Sequence, residues 1–215
     1  SATGVTFAPK LDEGLYLVGC GVRKKSVIKV YAVAMYSSPS VLNAISPATL
    51  LNAARTFDSD TPTTSFVLDM AMSVGAEKIA GAIAESVKPR YDGPPSDIAQ
   101  LEALIVDGVN EKGGHANKGT IFRFDCSDEG VRVTVDGISQ GTVQLKGLGS
   151  AFVDVFTDDN AVSPTLVDSC HDTWGSSEGK ALSTSLLSSS TGGGGKKSAK
   201  KAIAKTNQKE DEKTK

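Results

Sequence analysis

Gly19-Cys20-Gly21-Val22-Arg23-Lys24-Lys25-Ser26-Val27-Ile28-Lys29-Val30-Tyr31-Ala32-Val33-Ala34-Met35-Tyr36 reads as the end of one strand, a tight basic turn and a long second strand. Val22, Val27, Ile28, Val30, Tyr31 and Val33 are β-branched or aromatic, which suits a pleated, half-buried surface. Gly19 and Gly21 allow the backbone to turn or to approach another element closely. Arg23 is expected where the turn begins, with Lys24-Lys25-Ser26 forming the turn. On a strand count Arg23 and Tyr31 share parity, which puts both on one face if the turn preserves it. An arginine and a tyrosine at the mouth of an apolar sheet make a polar handle for an oxygen-rich ligand.

Outward from this hairpin, Gly4 to Leu11 is an extended segment broken at Pro9, and Leu15 to Val18 is a dense apolar strand. Ser37 to Pro39 ends the long strand. Ser46-Pro47 has the form of an N-cap followed by proline at the first helical position, predicting a helix to about Arg55. From Ser65 to Val74, Phe66, Leu68, Met70, Met72 and Val74 alternate, predicting a strand. At Gly75 the period changes: Ile79, Ile83 and Val87 lie four apart on a helical stripe that Pro89 stops. Tyr91 to Pro95 is a rigid turn. Ser96 is the expected cap of a helix with Ile98, Leu101 and Ile105 inward. Gly113-Gly114 is a loop. Three short strands follow, Thr120 to Cys126, Val131 to Val135 and Thr142 to Leu145, joined by Asp128-Glu129-Gly130 and Asp136-Gly137 turns. Helices are predicted from Leu148 to Thr157 and from Ser163-Pro164 to Trp174. The order predicts an α+β fold, an antiparallel sheet with helices on one face.

The chain has 215 residues and a net charge of −2. Residues 196–215 hold eight lysines against three acids, so the tail carries +5 and the remainder −7. A mildly acidic body does not suit a nucleic-acid binder. The three cysteines, Cys20, Cys126 and Cys170, are too few and too odd for a disulfide framework. No apolar run reaches bilayer-spanning length. The first residue is Ser1, which is compatible with removal of a leader and organelle import. From Gly175 onward the chain turns Ser/Gly-rich and then Lys-rich, and is expected to be a disordered tail, with contact to anionic lipid as the alternative. No motif demands a cofactor or a metal. Gly19-x-Gly21 lacks the third glycine and the helix of a dinucleotide loop, and the adjacent Cys170-His171 is not a ligand spacing.

"GCGVR" followed by "VIKVYAVAMY", with "LGSAFVDVFTDDNAVSP" at residues 148–164, resembles the chalcone isomerase fold family. That family holds true isomerases and related plastid fatty-acid-binding proteins, and the resemblance runs from about Gly4 to Trp174. It implies an open-faced β-sandwich over residues 1–175, with residues 176–215 outside it. In the isomerases the arginine at the Arg23 position steadies a phenolate that closes a ring on an enone. A strand threonine, a tyrosine, an asparagine and a last threonine or serine complete that site. Here Tyr31 takes the strand threonine's place, as in the fatty-acid-binding branch. Tyr91 is the candidate for the helix tyrosine, Ile98 falls where the asparagine is sought, and Val155 takes the last polar position beside Phe156. The resemblance thus implies a binding protein for a fatty acid or similar amphipathic carboxylate, with Arg23, Tyr31 and Tyr91 as ligand-binding residues. The acyl chain would lie against Val33, Leu68, Met70, Ile83 and Ile105. The alternatives are an intramolecular lyase using Arg23 and Tyr31, and a helper that binds a partner enzyme. The expected compartment is the plastid on the fatty-acid-binding reading and the cytoplasm otherwise.

Overall fold

The computed structural model describes residues 3–11, 14–44, 54–55, 57 and 63–174. Two long strands open it, β1 (Tyr16–Lys25) and β2 (Ile28–Ser37), followed by α1 (Pro39–Ala44) and β3 (Thr64–Met70). A short ladder pairs β4 (Val74–Gly75) with β5 (His115–Ala116), and between these strands lie α2 (Ala76–Val87) and α3 (Ile98–Asn110). The strands β6 (Ile121–Ser127), β7 (Gly130–Val135) and β8 (Ile138–Gln144) follow, then α4 (Leu148–Thr157) and α5 (Pro164–Trp174). The main sheet runs β1-β2-β3-β6-β7-β8, antiparallel throughout. It is therefore a meander whose third step makes room for the α2–α3 pair. The predicted class, an antiparallel sheet with helices on one face, is what the chain adopts.

The alternation in β3 and β6 sends Phe66, Leu68, Met70, Phe122 and Phe124 to the helix side, where all are buried. α2 answers with Ile79, Ile83 and Val87, and α3 with Ile98, Leu101, Ile105 and Val109. α4 lays Phe152 between Phe66 and Phe124, with ring centroids 6.0 and 4.7 Å away, and Phe156 stacks on Phe66 at 4.5 Å. Such tilted and offset aromatic contacts add about 0.5–1.5 kcal/mol per pair beyond burial. The opposite face has a smaller cluster, Leu15, Ala34 and Tyr36, covered by Phe7 and Leu11 of the leading segment. Tyr36 ties that segment down by donating its hydroxyl to the Ala8 carbonyl at 2.9 Å. Beside it on that outer face, buried Asp125 accepts from Arg123 at 2.7 Å, Arg132 at 2.7 Å and the Ser65 hydroxyl.

Several boundaries differ from the sequence-based expectation. Among the described residues the leading segment forms no strand of its own and meets β1 at an isolated Lys10–Tyr16 bridge. β1 continues to Lys25, so the turn is Ser26-Val27, with Ser26 at φ 56, and Arg23 lies within the strand. A helix at Pro39–Ala44 stands where only a strand break was read. The strand predicted to run to Val74 ends at Met70. β8 starts at Ile138 rather than Thr142; its polar, glycine-containing first half hides the period. Ser96 lies inside a 3-10 turn, Pro95–Asp97, and does not cap α3. The predicted helix from Pro47 falls largely outside the described residues, as does the tail.

Candidate functional site

Arg23 pairs directly across the ladder with Tyr31, and Gly21 and Gly19 with Val33 and Met35. The shared register puts the Arg23 and Tyr31 side chains together on the helix side. Tyr31 is only 6% exposed and belongs to the main core. Arg23 is half-buried. Burial pushes the Tyr31 phenol up to about 12, and the nearby Arg23 guanidinium pulls it partly back. Arg23 Nη1 donates to the Val162 carbonyl at 3.1 Å. Val162 in turn donates its N–H to the Val155 carbonyl at 2.9 Å, fastening the segment after α4 onto that helix. Among the described residues no carboxylate pairs with Arg23, and the Tyr31 hydroxyl has no hydrogen-bond partner. Tyrosines this buried normally place their hydroxyl on an acceptor. A half-buried cation and a buried phenol stand side by side with donors to spare.

The glycines explain how the segment reaches Arg23. A Cβ on Gly19 would lie 2.7 Å from the Cys170 nitrogen, and one on Gly21 would lie 2.4 Å from the Leu166 nitrogen. α5 therefore sits directly on β1, and no larger side chain fits between them. β1 is the edge strand, and its outward N–H groups need acceptors. Cys20 N–H finds Ser169 Oγ at 3.1 Å and Val22 N–H finds Thr165 Oγ1 at 3.0 Å. The spacings agree: four residues of helix rise about 6 Å, and two residues of strand about 6.6 Å.

Residues 158–163, between α4 and α5, are held from a second side by Arg90. Its Nε donates to Asp158 Oδ2 at 2.8 Å, its Nη2 to Oδ1 at 2.9 Å and to the Asn160 carbonyl at 3.0 Å. The Arg90 hydrogen bonds hold the Asp158 carboxyl below the usual range. No sequence pattern distinguishes Arg90, which follows Pro89 in a turn. Its neighbour Tyr91 is half-buried and donates its hydroxyl to Asp97 Oδ2 at 3.2 Å. Thr157, two residues beyond Val155, is buried and returns its hydroxyl to the Val153 carbonyl at 2.9 Å.

Behind Tyr31 the sheet presents Val33, Leu68 and Met70, and the helices Ile83 and Ile105, all buried in one cluster. An open depression elsewhere, lined by Asp128, Glu129, Gln144 and Lys146, is polar and lies at the β7 and β8 ends. Among the described residues no group of His, Cys, Asp and Glu is arranged to hold a metal, and no helix is long and apolar enough to cross a membrane.

Residues 3–168 match a protein family described as chalcone isomerase-like. Among solved structures, a fatty-acid binding protein from Arabidopsis thaliana superposes with a TM-score of 0.64 at 15% identity, covering 86% of this chain and 96% of its own. At that identity the likeness concerns the fold. No curated protein matches the sequence.

Proposed function

The chain belongs to the chalcone isomerase-like family, and from that premise we propose that it binds a fatty acid or similar amphipathic carboxylate, with Arg23 and Tyr31 receiving the head group. The observation that carries this reading is the pair of under-used donors on the helix side of the sheet: Arg23 without a carboxylate and Tyr31 without an acceptor among the described residues. A guanidinium fork meets a carboxylate at two points. Nη1 is spent on the Val162 carbonyl, which aims the rest of the group and leaves Nε and Nη2 for the ligand. The Tyr31 hydroxyl supplies a further donor. The wholly apolar surroundings favour an acyl chain over a polar body. An acyl chain would lie against these side chains, of which unbranched Met70 is the one most able to re-pack around it.

The ring-closing alternative needs polar groups around an enone and its phenolate. Thr157 has its hydroxyl committed within α4 and Tyr91 has its own committed to Asp97, and Val155 and Ile98 are aliphatic. These features favour a carrier over a lyase. The test has two arms on the purified full chain. Isothermal titration with a long-chain fatty acid should show saturable binding that Arg23→Gln weakens by about one to two decades, the range of a charge-assisted hydrogen bond. Loss of absorbance at a chalcone's band on adding protein should not occur. Unchanged affinity in Arg23→Gln defeats the head-group assignment, and turnover of the chalcone defeats the carrier reading.

A further inference from the structure

The tip of the β1–β2 hairpin joins two kinds of group that are seldom left together in water. Val27, in the two-residue turn, is 88% exposed, and Ile28 beside it is 54% exposed. Lys24, Lys25 and Lys29 flank them, all exposed, with Lys24 opposite Lys29 and Lys25 opposite Ile28 in the ladder. Ala71 N–H donates to the Val30 carbonyl at 2.9 Å, which brings exposed Met72 to the same end of the sheet. The charge is one-sided: the sequence has no Asp or Glu from Gly14 to Phe57. The nearest acid in register, Asp69 opposite Ala32, is half-buried and under the influence of Lys118, a further cation. Within a chain whose body is acidic, this end is a basic point carrying bare aliphatic side chains.

We propose that this hairpin tip docks the protein on an anionic lipid bilayer, Val27 and Ile28 entering the interface while Lys24 and Lys25 meet lipid phosphates and carboxylates. A protein partner fits the tip poorly. A stable interface buries about 800 Å² on each side, and a two-residue turn with its flanks offers far less. A bilayer asks for less, namely one or two aliphatic side chains at the acyl boundary and a few cations within a Debye length of the surface. A nucleic acid would call for aromatic stacking surfaces, and the tip has none. The inference stands on exposure and charge at the tip and is independent of Arg23 and Tyr31 as ligand groups.

The test is co-sedimentation of the full chain with vesicles of phosphatidylcholine alone and of phosphatidylcholine with phosphatidylserine. The wild type should partition to the anionic vesicles and be released by salt. The double substitution K24Q/K25Q should lower that partition by about thirtyfold, the worth of two surface lysines. Both proteins keep the lysine-rich residues 196–215, so binding carried by them alone leaves the ratio at one. Val27→Trp should show emission quenched by brominated acyl chains beyond the wild-type background from Trp174. No wild-type partition, an unchanged K24Q/K25Q, or an unquenched Val27→Trp would each overturn the assignment.

Discussion

Replacing Tyr31 by phenylalanine separates a structural role from a binding one, because the two make opposite forecasts. The ring is core, and Phe keeps it. Only the hydroxyl goes, and among the described residues that hydroxyl has no acceptor. A fully buried unpaired hydroxyl costs about 1–3 kcal/mol by mutational measure; the Tyr31 oxygen is not sealed from water, and the residue's 6% exposure lets solvent recover much of that cost. The unliganded Tyr31→Phe protein should therefore melt at the wild-type temperature or a few degrees above it, at about 2–4 °C per kcal/mol for a chain of this size. Fatty-acid affinity should fall, since a hydrogen bond to a charged acceptor contributes about 1.5–3 kcal/mol, or about one to two decades in Kd. Calorimetry of the unliganded protein and isothermal titration of the same samples give both numbers. A melting temperature that drops while affinity holds would mean that the phenol serves the fold, and the head-group assignment would lose half of its support.

Other outcomes follow from the same geometry. Gly21→Ala sets a methyl 2.4 Å from the Leu166 backbone nitrogen; overpacking of this kind costs about 1–3 kcal/mol, so thermal melting should fall and hydrogen exchange at the Cys20 and Val22 amides should speed up. Phe152→Ala removes the ring between Phe66 and Phe124 and should cost about 3–5 kcal/mol in urea unfolding. At high pH the sign is fixed by burial. The Tyr31 phenol, the Tyr36 phenol and the Cys170 thiol are each pushed up to about 12, so the unfolded chain releases these protons first. Stability should hold up to about pH 9 and fall as pH climbs towards about 12, read as a declining urea midpoint.

Much of the fold was legible because its periods are clean. The Phe66-Leu68-Met70 alternation and the Ile79-Ile83-Val87 stripe each bury one face, and burial is what hydrophobic period reports. β8 was half hidden because Ile138-Ser139-Gln140-Gly141 gains its place from pairing with β7, and an edge strand exposed to solvent needs no apolar alternation. At the site, Arg23 and Tyr31 were legible as a pair, but a wrongly placed turn blurred their register, since Lys24-Lys25 looks like loop by composition and is strand by pairing. Arg90 was invisible for another reason. Its partner Asp158 is 68 residues away, and no local pattern encodes an ion pair made by tertiary packing.

The same two glycines that let α5 lie on β1 also set where the candidate site can be. With α5 seated on Gly19 and Gly21, the chain between α4 and α5 has only residues 158–163 in which to return, and it must pass over the next helix-side position of β1, which is Arg23. The Val162 carbonyl then takes one Arg23 donor, Arg90 fastens the other end of the turn through Asp158, and the guanidinium is held at the rim of the core instead of extending into water. A larger residue at either glycine would lift α5 and carry the Val162 carbonyl with it. The position of the cation therefore depends on the absence of two side chains as much as on the arginine itself. Gly21→Ala should accordingly weaken fatty-acid binding even under conditions where the variant remains folded, and intact affinity in a folded Gly21→Ala protein would break the link between the helix seat and the site.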